Sequence, residues 1–443
     1  MAGKHHSRKQ TEKEKGLSRI VLIILTAAAA CLLLIMGVRL YKEIKKSGKV
    51  PESKALSSSS KAENTTPGSN TAAKTDSPGA GTGKTEGETA DTPQTADVLQ
   101  ALISSMTLEE KIAQMFIITP EALTGFEQAV DAGEAVRSAL SDYPVGGLIF
   151  FKTNIQNPQQ ITEMIADTKE YAKAAAKLPV LIAVDEEGGS VARIAGNPQF
   201  PVEKFPDMSA IGASGDISKA YEVGNVIGSY LKEYGFNMDF APDADVLTNP
   251  DNTVVAMRSF GSDPHLVSAM AGQTAKGLMD QGIIPVYKHF PGHGSTKGDT
   301  HEGFSYTDRT LEELRESELV PFADAVENGI PCIMAAHIAA VAVDGDKPAS
   351  LSKVLITDVL RGELGFDGVV ITDAMNMGAV QNLYSSGEAA VMAVEAGADL
   401  LLMPENFQEA YETLLNAVKE GRISEDRIDL SMMRIAVMKA GLQ

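Results

Sequence analysis

Residues 288–303, KHFPGHGSTKGDTHEG, crowd three histidines (His289, His293 and His301), two lysines, Asp299 and Glu302 among four glycines. Imidazoles at that density could ligate zinc, serve as base to a hydroxyl such as Ser295, or pass a proton to and from a substrate. The spacing weighs against the first two. His289 and His293 flank a Phe-Pro-Gly turn rather than one helical face, and no acidic general base of the H-E-x-x-H kind adjoins them. Ser295 lacks the strand-to-helix elbow that exposes a nucleophilic serine. The residues of the stretch alone do not choose the third, which would need partners from elsewhere in the chain.

Those partners must be delivered by the surrounding elements. From about residue 98, short apolar runs of β type alternate with stretches of helical spacing: 115–118, 146–151, 180–184, 238–242, 283–287, 332–335, 369–372 and 400–403. Thr107 to Glu110 and Thr310 to Glu313 carry the capping-box pattern that starts a helix. Continuous apolar strands between helices indicate a parallel sheet covered on both faces, and eight of them predict a (β/α)8 TIM-type barrel. A doubly wound open sheet is the alternative, but no glycine-rich dinucleotide fingerprint follows any run. Polar residues recur just past the runs: Asp185, Glu186 and Glu187 after the third, Asp243 and Asp245 after the fourth, Lys288 and His289 after the fifth, His337 after the sixth, Asp373 after the seventh and Glu405 after the eighth. A barrel gathers those ends round one mouth, where polar groups read as a site.

The first hundred residues are of another kind. Residues 20–38 are uncharged and apolar over about the length that crosses a bilayer, so 20–40 is expected to be a transmembrane anchor behind a basic tail, 1–19. A cleaved signal peptide fits less well, because the run is long and no small-x-small site follows it. Cys31 lies inside the run, which argues against lipid attachment there. Residues 41–97 hold mainly Ser, Thr, Gly, Lys, Pro and Ala and are expected to be a flexible linker to a domain over 98–443. Basic residues lie on both sides of the anchor, so the positive-inside rule leaves orientation open. Residues 1–54 carry twelve Lys or Arg against four acids; with a total of −20, that excess of +8 leaves −28 on the rest. So acidic a domain is a poor nucleic-acid binder. Two cysteines, one of them in the apolar run, make no disulfide framework.

With KHFPGHG and a D-x-H a few residues on, the chain resembles glycoside hydrolase family 3, in particular its β-N-acetylglucosaminidase branch. GGLIFFKTNIQNP (146–158), DEEGGSVARI (185–194), FAPDADVLTNP (240–250), MRSFGSDP (257–264), IMAAHI (333–338) and ITDAMNMGAV (371–380) continue the resemblance in order. It implies a retaining displacement through a covalent glycosyl-enzyme. Asp373 matches the nucleophile, and His301 with Asp299 matches the acid/base dyad. Asp185, Arg258, Lys288 and His289 match the residues that hold the sugar hydroxyls, and Arg193 is kept at the pocket rim. Two-domain relatives bring a carboxylic acid from a second domain, but about forty residues follow the eighth run and read as closing helices.

Glu186 stands where the family commonly has glutamine and Ser190 where it commonly has arginine, which implies one contact fewer near the rim. Trp is absent, against an extended aromatic platform for long glycans and in favour of a closed exo-acting pocket. The expected protein is a membrane-tethered, monomeric exo-β-N-acetylglucosaminidase. It would act outside the cytoplasm on peptidoglycan-derived or related glycans, without metal or cofactor. A β-glucosidase or glycoside phosphorylase on the same scaffold is the alternative among enzymes. A non-catalytic cell-wall-binding protein is the alternative outside them, but it need not keep Asp373, Asp299 and His301 together.

Overall fold

The computed structural model describes residues 93–298, 303 and 305–442, and Leu99–Gln443 form one compact unit. The basic tail, the expected anchor and most of the expected linker lie outside the described residues. Among the described residues no helix is long and apolar enough to cross a membrane.

Eight parallel strands run round a barrel in chain order: β1 (Phe116–Ile118), β2 (Gly147–Ile149), β3 (Leu181–Val184), β4 (Met238–Asp239), β5 (Ile284–Phe290), β6 (Cys332–Ala335), β7 (Val369–Thr372) and β8 (Leu401–Leu402). β8 returns to β1 with Phe116 opposite Leu401 and Ile117 opposite Leu402. Between β7 and β8 the contact narrows to one parallel bridge, Ile371 to Leu400, flanked by bonds from Thr372 N–H to Leu400 O (3.0 Å) and from Leu400 N–H to Val370 O (3.0 Å). The ring is nearly closed, as in a TIM-type barrel.

The strands are apolar over most of their length because both faces are covered, and the polar residues they carry, Asp239, Lys288, His289 and Thr372, lie at or near their carboxyl ends. Ile117, Leu148, Ile182, Val286, Ile333 and Ile371 are all buried, each contributing about 1.5–3 kcal/mol of transfer free energy. The sixth and seventh runs match their strands residue for residue. The fourth stops at Asp239, short of the expected 242: the chain passes through Ala241–Pro242, and a proline offers no N–H to a ladder. The fifth runs on to Phe290, so Lys288 and His289 sit within the strand rather than beyond it. Both capping boxes form, with Glu110 N–H on Thr107 Oγ1 at 3.1 Å and Glu313 N–H on Thr310 Oγ1 at 3.3 Å.

The amino-terminal end of the barrel is tied by buried polar groups. Asp399, just before β8, accepts from Arg361 (2.5 Å), from Ser431 (2.6 Å) and from the Val370 N–H (3.0 Å), fixing two outer helices, Val354–Glu363 and Glu425–Lys439, to β7. Lys439, fully buried, donates from Nζ to Gln114 Oε1 and Gly146 O, both at 2.8 Å.

Candidate active site

The carboxyl ends of the strands open into a cavity of about 540 Å³, in the range of small-ligand sites. Asp185, Arg193, Arg258, Lys288, His289 and Asp373 all line it, so six of the eight residues singled out in the sequence share one wall. Asp299 and His301 lie outside the described residues, as does Glu302. Among the described residues on either side, Lys297 and Tyr306 exchange backbone bonds of 2.9 and 3.2 Å and Ser305–Thr307 pairs with Ile338–Ala340.

Past β3, a hairpin pairs Glu186–Gly188 with Val191–Ala192. Its two carboxylates face opposite ways, as alternation along an extended chain requires. Glu186 turns inward and is fully buried, accepting from the N–H groups of Arg193 (2.5 Å), Ile194 (2.8 Å) and Ala195 (2.8 Å) and from the Tyr230 hydroxyl (2.8 Å). It therefore shapes the hairpin that presents Arg193 and is no pocket contact. Glu187 lines the cavity and takes both arms of Arg258, Nε at 2.8 Å and an Nη at 2.7 Å, together with Lys288 Nζ at 2.5 Å. Burial raises the Glu187 pKa, but the Arg258 and Lys288 charges outweigh it and hold the carboxyl well below the usual range. Burial would likewise strip the proton from Lys288; Glu187 and Asp185, the latter at 3.1 Å, instead keep the ammonium charged. Arg193 reaches Asp185 at 3.5 Å and lies over the Phe151 ring at 5.9 Å.

A second pair of carboxylates orients the histidine. Asp245 Oδ2 is 2.7 Å from His289 Nδ1, and its Oδ1 accepts the N–H groups of His293 (2.5 Å) and His289 (3.3 Å). On the far side of the ring, Nε2 lies 3.2 Å from an Arg258 Nη, which can only donate. The tautomer follows: Nδ1–H donates to Asp245 and Nε2 accepts. Burial, seconded by the Arg258 charge, pulls the His289 pKa down to about 4, so the ring is neutral at physiological pH. Oxygen and nitrogen atoms of Asp243, Asp245 and His289 converge within 4.8 Å, close enough to suggest a metal. Arg258 already stands 3.5 Å from Asp243 as well as against His289. A divalent ion would meet that charge, and the donor set suits the guanidinium better.

Asp373 follows β7. Its N–H donates to Ala335 O (2.8 Å) and one carboxylate oxygen accepts the Ala374 N–H (2.8 Å), which fixes the side chain on a rigid strand end. Burial pushes its pKa up, but His337, His289, the Ala374 N–H and Lys288 together bring it below the ordinary aspartate value. His337 sets its Nε2 3.0 Å from Ala374 O and its Nδ1 2.7 Å from Ser350 Oγ, bracing the turn behind Asp373.

Other groups flagged by position fall elsewhere. Ser295 donates to Thr307 Oγ1 (3.0 Å), away from the cavity wall, and Glu405 is exposed to solvent. Glu187, Asp243 and Asp245, noted at strand ends without a role, turn out to hold the cations and the histidine.

The chain matches the Glycosyl hydrolase family 3 N terminal domain over residues 107–438. It is 34% identical over 329 residues to beta-hexosaminidase A of Pseudoalteromonas piscicida, covering 68% of this chain and 54% of that protein, so it spans about half of that relative's length. It is 32% identical over 338 residues to beta-hexosaminidase LpqI of Mycobacterium tuberculosis, covering 74% and 82%. Among solved structures, a glycoside hydrolase family 3 beta-N-acetylglucosaminidase from a Paenibacillus species superposes with a TM-score of 0.72 at 39% identity, covering 76% of this chain and 63% of that one. With a barrel whose strand ends assemble these blocks and a family match over most of its length, the chain belongs to glycosyl hydrolase family 3.

Proposed function

We propose that this protein is a retaining exo-β-N-acetylglucosaminidase that releases terminal N-acetylglucosamine from peptidoglycan-derived or related glycans. The observation that carries the reading is one rigid, ionised carboxylate, Asp373, in a cavity whose other charges are paired with one another. Asp373 attacks the anomeric carbon as the bond to the leaving oxygen breaks, and water then releases the sugar from the covalent intermediate. His301, with Asp299 on one ring nitrogen, gives its proton to the leaving oxygen and recovers one from the water. That assignment stands on the sequence pattern. Asp185, Arg193, Arg258, Lys288 and His289 hold the sugar, and a cavity this size supports cleavage from a chain end.

The run at 20–38 anchors the protein in the cell membrane, and the linker lets a monomeric domain reach its glycan outside the cytoplasm. Aryl β-glycosides offered to the purified protein with and without phosphate test the activity. Fastest release from the N-acetylglucosaminide, as free sugar in either buffer, is expected. A faster glucoside would make it a β-glucosidase and a sugar phosphate would make it a phosphorylase. No turnover on any glycoside would leave a wall-binding protein.

A further inference from the structure

One histidine of the cavity wall has no part in the mechanism above. His293 is 2% exposed, lines the cavity, and stands edge-on to His289 with ring centroids 5.8 Å apart. Its main chain is fully engaged: the N–H is on Asp245, and the carbonyl accepts from Asn252 Nδ2 (2.7 Å) and the Thr296 N–H (3.1 Å). Ring Nδ1 lies 2.8 Å from Thr296 Oγ1. Ring Nε2 is buried and, among the described residues, without a hydrogen-bond partner.

The surroundings decide which nitrogen carries the proton. Thr296 Oγ1 lies 2.8 Å from both His293 O and Nδ1, but the carbonyl's two lone pairs already have donors. The hydroxyl therefore does best by donating to Nδ1, while accepting from Asn252 Nδ2 at 3.2 Å. Burial keeps the ring neutral by lowering its pKa, so its single proton is on Nε2. A buried N–H without an acceptor is destabilising, and such groups in native proteins call for an explanation.

We infer that His293 is a further substrate-binding residue, whose Nε2–H donates to an oxygen of the sugar seated in the cavity beside Asp373. The inference rests on the amino-sugar hydrolase reading above and adds a specificity group to it. A site built to hydrogen-bond one substituent discriminates against an analogue that lacks it, because the buried donor is then left unpaired.

The test compares the full-length protein with His293→Phe, which keeps a ring and removes both nitrogens, on nitrophenyl β-N-acetylglucosaminide. The same pair is run on the 3-, 4- and 6-deoxy analogues and on the glucoside, which lacks the N-acetyl group. With the complete sugar, His293→Phe is expected to lower kcat/KM about 10- to 100-fold. With the one analogue that lacks the partner oxygen, parent and variant should agree within about threefold. Thr296→Val, which frees the tautomer without touching the ring, should show the same pattern on the same analogue in weaker form, and it decides the matter if His293→Phe does not fold. An equal loss on every glycoside, or none, would overturn the contact. A parent enzyme that left the N-acetylglucosaminide intact would sink the hydrolase reading instead.

Discussion

At the scale of single residues, the described cations of the cavity are engaged by carboxylates other than Asp373. Lys288 is shared by Asp185 and Glu187, and Arg258 by Glu187, Asp243 and the neutral His289. Charges fixed in this way meet a substrate without reorganising, the condition under which polar groups favour a transition state most. Asp373 is the one carboxylate of the cavity held mainly by its own backbone turn. Asp373→Ala should reduce turnover of a nitrophenyl glycoside at least about 10³-fold, with the thermal transition unchanged, because the other described carboxylates of the cavity, Asp185 and Glu187, are held by cations. Activity within about tenfold of the parent would remove it from that role. Asp185, Lys288, His289 and Asp373 were legible because each lies at a strand end, and Arg193 and Arg258 because each lies in a block of the family resemblance, DEEGGSVARI and MRSFGSDP. The work of Glu187 and Asp245 was not. It consists of distances to residues 71 and 44 positions away, which exist only after the barrel closes.

At the scale of elements, the apolar runs located the eight barrel strands, since a doubly covered strand is apolar over most of its length, whereas the short paired strands outside the barrel, such as Glu186–Gly188 and Ser305–Thr307, left no such run. The ends of the barrel strands were less legible. Pro242 shortened one strand, and pairing with β6 carried another on to Phe290. The connection that leaves β5 carries the residues proposed for proton transfer. Its first half is held against the segment after β4: Asn249 donates to Thr296 O (2.9 Å), Asn252 holds the His293 carbonyl, and a Cβ on Gly294 would come within 1.9 Å of Val246 O. His301 falls in sequence between Lys297 and Tyr306, whose backbones are bonded to each other, and is the acid/base group proposed above. Protonation of the leaving oxygen matters greatly for a sugar alkoxide and little for a nitrophenolate. His301→Ala should therefore damage hydrolysis of a natural disaccharide far more than formation of the glycosyl-enzyme from a nitrophenyl glycoside. Azide, which needs no general base, should restore part of the deglycosylation rate. Equal losses on both substrates without azide rescue would move the acid/base role to another rim residue, Glu302 first.

At the scale of the whole molecule, an acidic catalytic unit is joined to a basic amino-terminal segment through a stretch almost without large apolar side chains. If the unit works outside the cell, protease added to intact cells should release an active fragment beginning within residues 47–97. Protection of that stretch until lysis would place the unit in the cytoplasm. The floor of the barrel carries a different consequence, one of proton counting. Burial alone pulls the pKa of Lys439 down to about 7, against about 10.4 in an unfolded chain. Between those values the unfolded chain binds a proton that the folded one does not, so stability must rise with pH across that window. Below about pH 7 both states are protonated and the burial penalty is fully present. Lys439→Met loses two hydrogen bonds at every pH but abolishes this slope. The parent's advantage in denaturation midpoint over the variant should therefore grow from pH 7 to 9.5, and a constant difference would mean that Lys439 titrates as an ordinary lysine. The barrel thus rests on a base that fits its socket best uncharged, and alkalinity tightens the end opposite the strands' carboxyl termini.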